Sequence, residues 1–225
     1  MKRLLGSLLL AVPLAAAGEF RPSLVIETGV LKESDLIVRN ITDLNSRKTC
    51  MVFYIRTAGT SPTVTCYDVV GAFGATLAQV GHFKEGNLIV RKIQDSTNNM
   101  ACLVAYVSTP GTAPSISCFA GNAGVRESLS QTAHLHEGDL DVRVIVDADS
   151  VKRCLVAYVD TPGTAPAVLC YDARESGPSG LHQASYTREG DLVVRKIVDQ
   201  GSGKACIVSY VSTEGTKPSL FCYDD

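Results

Sequence analysis

Two sets of polar residues recur along the chain at a fixed interval, and their side chains suit the binding of a charged or hydrogen-bonding ligand. The first set has one carboxylate and three amides, at Glu27, Gln79, Gln131 and Gln183. The second set has four guanidinium groups, at Arg39, Arg91, Arg143 and Arg195. Because a guanidinium presents a planar fork of donors to an anion, the four arginines predict a four-fold anion site if the fold brings them together.

A structural role competes with that interpretation. An aspartate follows each arginine by four residues, at Asp43, Asp95, Asp147 and Asp199. Residues four apart in one strand share a face but lie roughly 13 Å apart, so they cannot pair directly. Each charge must then find its partner on a neighbouring strand or repeat. We favour ion pairs between repeats, because a contact needed at every interface recurs whereas a unique active site does not.

Residues that could catalyse a reaction or bind a metal are few. The four histidines, His82, His134, His136 and His182, show no metal-ligand spacing. The chain has no GxSxG, phosphate-binding loop or dinucleotide motif. We therefore expect no catalytic residue, no metal and no cofactor, and a protein that is not an enzyme. The alternative is a hydrolase with carboxylates around a central channel.

The cysteines define four repeats. Equivalent cysteines are 52 residues apart, and each repeat holds two cysteines separated by 16 residues. The pattern contains no CxxC, which argues against a metal site. Each pair brackets strand, Gly/Pro turn and strand, as in Cys102-LVAYV-STPGTAP-SIS-Cys118, so a hairpin would place both thiols opposite each other. We predict disulfides joining Cys50 to Cys66, Cys102 to Cys118, Cys154 to Cys170, and Cys206 to Cys222.

The first twenty residues resemble an export signal. Lys2 and Arg3 precede an apolar stretch, and small residues at Ala15 and Ala17 suit cleavage after residue 17. We therefore expect a signal peptide at 1–17, a secreted or periplasmic repeat domain at 18–225, and no membrane span in the mature chain. Removing Lys2 and Arg3 leaves 19 basic against 23 acidic residues, a net charge of −4, so nucleic acid is not an expected partner.

The repeats, approximately 18–68, 69–120, 121–172 and 173–225, each read as four antiparallel strands, here called A to D. Strand A is polar, strand B mixes β-branched and charged residues, and the third and fourth strands form the cysteine hairpin. Strand C is apolar at nearly every position, as in Leu103-VAYV, so both of its faces need burial. We therefore predict an all-β fold in which the sheets stack, a small four-bladed β-propeller. The alternative is two barrels or sandwiches of two repeats each.

The repetition favours a binding or scaffolding module over an enzyme, with an unknown protein or carbohydrate as its ligand. In a propeller the first strand of each blade lines the channel, which would place the Glu27 set against a ligand. The hairpin tips, such as Thr109-PGTAP, are a second candidate surface that could bind a repetitive partner through avidity.

Overall fold

Sixteen β-strands form the described part of the chain. A computed structural model describes residues 24–70, 74–121, 129–172 and 180–225. The predicted signal peptide and parts of the segments joining the repeats lie outside these residues. Within the described residues no helix has the length and apolar character needed to cross a membrane. The expected all-β class is confirmed.

Each repeat folds into one four-stranded antiparallel meander whose spatial order follows the chain. The strands of sheets 1 and 2 are β1 (Val25–Glu33), β2 (Leu36–Asp43), β3 (Lys48–Ile55), β4 (Thr63–Asp68), β5 (Leu77–Glu85), β6 (Leu88–Asp95), β7 (Met100–Val107) and β8 (Ser115–Ala120). Those of sheets 3 and 4 are β9 (Leu129–Glu137), β10 (Leu140–Asp147), β11 (Lys152–Val159), β12 (Ala167–Asp172), β13 (Leu181–Glu189), β14 (Leu192–Asp199), β15 (Lys204–Val211) and β16 (Ser219–Asp224).

Two short turns set the register of every sheet. The first joins the first two strands through two residues, and its first residue has a positive φ: Ser34 at 57°, Gly86 at 57°, Gly138 at 67° and Gly190 at 59°. Glycine suits this conformation because it has no Cβ to clash. The second turn joins the second and third strands. Here the aspartate that ends strand B accepts a hydrogen bond from the backbone N–H two residues later, as Asp43 does from Asn45 at 3.0 Å. The same bond recurs from Thr97, Asp149 and Gly201.

A bulge in the first strand of each sheet changes which face its side chains occupy. The pairing of β9 with β10 shifts by one residue between Gln131 and Ala133, so Gln131 lies opposite Ile145. Without the bulge it would lie opposite Val146, on the other face of the sheet. The equivalent shift occurs in β1, β5 and β13. The bulge therefore brings each Glu or Gln of the Glu27 set onto the face that carries the arginine.

The predicted disulfides are all present. Each joins directly opposed residues of the third and fourth strands, with the two Cα atoms 4.0 Å apart in every repeat. Each bridge restricts the unfolded chain. In the chain-entropy account, this raises the free energy of unfolding by about 3 kcal/mol for a loop of this length. Four intrachain disulfides also suggest an oxidising compartment, extracellular or periplasmic.

The four sheets stack face to face in chain order. Apolar clusters fill the spaces between sheets 1 and 2, sheets 2 and 3, and sheets 3 and 4. Each sheet therefore has a forward face, on the side of the next repeat, and a rear face, on the side of the preceding one. Between sheets 1 and 2 the forward face supplies Leu36, Met51 and Phe53, and the rear face of sheet 2 supplies Ile93 and Val104.

The predicted propeller is not confirmed. A closed ring of four sheets would have four apolar interfaces, whereas the described residues form three such clusters, none of which joins sheet 4 to sheet 1. Burial agrees with an open stack. Both faces of β6 and of most of β10 are buried, whereas burial alternates along β14 and β15 of sheet 4. The alternative of two separate two-repeat units is not observed either, because a cluster also joins repeats 2 and 3.

Candidate functional site

The structure brings the two predicted site sets together. In every repeat the arginine of strand B donates to the Glu or Gln of strand A, and Arg143 Nη1 lies 2.8 Å from Gln131 Oε1. The bulge described above makes this contact geometrically feasible. The four arginines do not meet at one point, because each lies on the rear face of its own sheet. Ligand binding by these eight residues stays a prediction.

A tyrosine of strand C belongs to each cluster, and in repeat 1 a hydrogen bond with Tyr54 raises the pKa of Arg39. Arg91 Nε donates to the Tyr106 hydroxyl at 2.9 Å, and Arg195 Nε donates to the Tyr210 hydroxyl at 3.2 Å. Arg143 Nη2 lies 3.5 Å from the Tyr158 hydroxyl. Burial raises the pKa of Tyr106 and of Tyr210 to about 12, so both phenols stay protonated at neutral pH. These tyrosines are buried hydrogen-bonding residues rather than an exposed stacking platform.

Carboxylates from the preceding repeat reach these arginine clusters at all three interfaces. Asp35 accepts from the Tyr106 hydroxyl at 2.9 Å and lies 3.5 Å from Arg91 Nη2. Asp139 does the same in repeat 4, accepting from the Tyr210 hydroxyl at 2.6 Å. At the middle interface Asn87 occupies the position of these aspartates. There Glu85 pairs with Arg143 at 2.7 Å, and this hydrogen bond holds the pKa of Glu85 below its usual range.

The aspartates that end strand B form a second set of contacts between repeats. Asp95 accepts from Asn40 at 2.9 Å and from the Tyr67 hydroxyl at 2.7 Å. Asp147 pairs with Lys92 at 2.6 Å. Asp199 accepts two bonds of 2.9 Å from Arg153. All three aspartates are buried, and each accepts from donors of the preceding repeat.

Contacts between arginines and carboxylates of neighbouring repeats therefore exist, but the four predicted arginines reach carboxylates other than the predicted aspartates. Apart from Asp199, which pairs with Arg153, the carboxylates that reach an arginine of the next repeat come from the first turn and the end of strand A, at Asp35, Asp139 and Glu85. Sequence reasoning missed Asp35 and Asp139, although their spacing of 104 residues, two repeats, was a visible signal.

Histidine does not assemble a metal site in the described residues. His134 Nε2 lies 3.0 Å from Asp141 Oδ1, and His136 Nδ1 lies 3.6 Å from Asp141 Oδ2. Within the described ranges no group of three or more His, Cys, Asp or Glu side chains is arranged to hold a metal ion. Asp141 also accepts from Arg143 at 3.0 Å, which makes this cluster part of the middle interface.

The hairpin tips of the four repeats form a column along one side of the stack. The tip glycines of successive repeats lie close together. A Cβ placed on Gly59 would lie 3.6 Å from the Cα of Gly111, and a Cβ placed on Gly111 would lie 4.0 Å from the Cα of Gly163. A Cβ placed on Gly163 would lie 3.6 Å from the Cα of Gly215. The same construction on Gly215 meets nothing within 4 Å, so the column ends there. Positive φ values at these four positions also favour glycine.

A cleft of about 410 Å³ runs beside this column across three repeats. Its lining comes from equivalent positions at the start of the fourth strands, with Ile116, Val168 and Leu220 as apolar contributions. Ser115 and Ser219 add hydroxyls, and Lys217 adds the one charged side chain of the lining. The other repeats carry Ser61, Ala113 and Ala165 at the position of Lys217. The cleft therefore combines a repeated apolar floor with a cation at one end.

No protein-family model matches this chain, and no curated protein matches it.

Proposed function

We propose that the protein is an exported binding module that holds an extended peptide segment in the cleft beside the hairpin tips. The observation that carries this proposal is the cleft itself, since equivalent positions of repeats 2, 3 and 4 line one continuous depression. An extended peptide presents side chains at regular steps, and a repeated surface suits such a ligand.

The chemistry of the lining points to an acidic residue at one end of that peptide. Lys217 is the charged group of the cleft, and its ammonium would pair with a carboxylate while Ile116 and Leu220, both partly exposed, contact apolar side chains. The lining contains no aromatic side chain, although sugars are commonly held by stacking on aromatic rings. For this reason we favour peptide over carbohydrate. The hydrolase alternative has no supporting observation, because Glu27, its strand A carboxylate, pairs with Arg39.

Selection from a random peptide library tests the proposal. We expect the mature protein to enrich peptides that share an acidic residue beside apolar ones, and Lys217→Ala to weaken their binding by about tenfold. This variant restores the residue found in repeats 2 and 3, so the fold should be unaffected. Lys84→Ala, in β5 and outside the cleft, is the control and should bind as the wild type does.

Two results would contradict the proposal. If the selection enriches no peptide, the proposal of a peptide ligand is wrong. Binding to an oligosaccharide array instead would indicate a carbohydrate ligand. Equal binding by the wild type and Lys217→Ala would place the ligand elsewhere on the molecule.

A further inference from the structure

The two ends of the stack are the two halves of an interface that the molecule already uses three times. Among the described residues, no sheet packs on the forward face of sheet 4 or on the rear face of sheet 1. We propose that the forward face of repeat 4 binds the rear face of repeat 1 of a second copy of this chain, in a head-to-tail assembly.

The forward face of repeat 4 carries the apolar residues that are buried in the other repeats. Leu192 is 47% exposed, whereas the equivalent Leu36, Leu88 and Leu140 are fully buried. Val211 is 40% exposed against 9% or less for its three equivalents. Phe221 and Tyr223 add large apolar surface to the same face, at 68% and 37% exposure. Leu192 lies opposite Val211, and the rings of Phe221 and Tyr223 are 6.4 Å apart. Exposed apolar side chains gathered on one face of a sheet mark an interaction surface.

The rear face of repeat 1 carries residues equivalent to those that contact the forward face of the preceding repeat at the three internal interfaces. The Arg39 side chain is 41% exposed, while those of Arg91, Arg143 and Arg195 are between 7% and 10% exposed beneath the preceding repeat. Val64 is 59% exposed, and the equivalent Val168 is buried. Asp43 caps its own turn and is partly exposed, whereas Asp95, Asp147 and Asp199 also accept donors from the preceding repeat.

Charge complementarity selects a second copy as the occupant. Asp191 of repeat 4 is equivalent to Asp35 and Asp139, each of which reaches the arginine and tyrosine of the next repeat. In the assembly it would reach Arg39 and Tyr54 of the second copy. Lys196 is equivalent to Lys92, whose ammonium pairs with Asp147. It would leave its surface contact with Asp225 and pair with Asp43.

Glu27 does not prevent this docking. It pairs with Arg39 where the other repeats have glutamine, so the incoming Asp191 would meet an arginine that already has one carboxylate. Arg143 tolerates that situation, because it contacts both Glu85 and Asp141. The contact is heterologous, joining two different faces, so it generates a series of oligomers unless its rotation closes a ring.

Sedimentation of the mature protein and of two blocked variants tests the proposal. Leu192→Lys blocks the forward face, and Val64→Lys blocks the rear face; both positions are exposed in the single chain, so folding should be unaffected. We expect the wild type to form concentration-dependent oligomers and each variant alone to associate on the order of 100-fold more weakly. An equimolar mixture of the two should restore association and stop at a dimer, because each variant keeps one intact face.

Two further variants sharpen the comparison. Val151→Lys, at a 59% exposed position in a turn of repeat 3, is the matched control and should associate as the wild type does. Asp191→Asn introduces the residue that repeat 2 has at position 87, and we expect association about tenfold weaker because one charge-assisted contact is lost.

Three results would overturn the proposal. A wild type that stays monomeric at millimolar concentration has no such interface. Association of either blocked variant alone at wild-type strength would indicate another contact. A monomeric wild type whose Cys50–Cys66 bridge resists reductant would indicate that repeat 4 closes onto repeat 1 of its own chain. These outcomes are independent of peptide binding in the cleft, which Lys217→Ala tests separately.

Discussion

Buried polar residues hold neighbouring repeats in one relative position, and they do so with different donors at each interface. Asp199 and Asp147 are equivalent, yet one accepts from Arg153 and the other from Lys92. Val144 occupies the position of Lys92 in repeat 3, and Arg153 supplies the missing donor from the adjacent strand. A buried carboxylate must keep a partner, because an unpaired buried charge is strongly destabilising.

Gly201 makes room for the Arg153 donor. A Cβ at this position would lie 2.8 Å from Arg153 Nη2, which is closer than atoms normally approach. We expect Gly201→Ala to destabilise the protein by about 1–3 kcal/mol, because the guanidinium must move off Asp199. Arg153→Met should cost about 3–5 kcal/mol by leaving Asp199 without its cation. Urea unfolding measures both changes.

The double variant is the control for this mechanism. If Gly201 acts only by accommodating the guanidinium, Gly201→Ala should cost almost nothing in the Arg153→Met background. Additive destabilisation would instead show that the alanine disturbs the turn by itself.

At the scale of strands, the sequence predicts most of what the structure contains. The period of 52, the two-residue turns and the cysteine spacing are local signals, and they place strands and bridges within a few residues of their observed bounds. The contact of Gln131 with Arg143 was not predictable in this way. It depends on the bulge in β9, and without the bulge an alternating pattern places the two side chains on opposite faces.

The disulfide hairpins differ in which face covers them. Cys102, Cys154 and Cys206 lie in the three clusters between sheets. The first bridge lies on the free rear face of sheet 1, where Cys50 is partly exposed and Cys66 is exposed.

We therefore expect limiting reductant to open Cys50–Cys66 first under native conditions, because thiolate attack needs access to a sulfur. Alkylation of the freed thiols followed by peptide mapping at low protein concentration identifies the bridge. Simultaneous opening of all four would show that reduction follows global unfolding rather than exposure.

At the scale of the whole molecule, the open stack could not be predicted from strand patterns. The third strand is apolar in all four repeats, as in Met51-VFYI of the first and Ile207-VSYV of the last. The sequence therefore predicts two buried faces for every repeat. Only the arrangement of the sheets shows that two of those faces have no partner among the described residues. The choice between ring and stack rests on the angle between sheets, which no local pattern encodes.

An open stack should have a gradient of local stability. We expect amide hydrogens of β6, β7, β10 and β11 to exchange most slowly, because these strands are buried on both faces for most of their length. Those of β2, β3, β14 and β15 should exchange faster, since burial alternates along these strands and one face of each is uncovered by the described residues. Hydrogen exchange with mass spectrometry, at a concentration where the protein is monomeric, measures the difference. Uniform protection would indicate that the ends are covered.

The alternation of carboxylates at the interfaces has a consequence for how near-identical repeats find their correct neighbours. Repeats 1 and 3 offer Asp35 and Asp139, whereas repeat 2 offers Asn87 and relies on Glu85. Cys102-LVAYV and Cys154-LVAYV would otherwise be interchangeable templates, a situation that invites misassembly between copies. If repeat 2 stacked on repeat 4, Asn87 would take the place of Asp139, and the Tyr210 hydroxyl would lose its carboxylate acceptor. These differences in polar contacts therefore favour the correct pairing of neighbouring repeats over incorrect pairings while the chain folds.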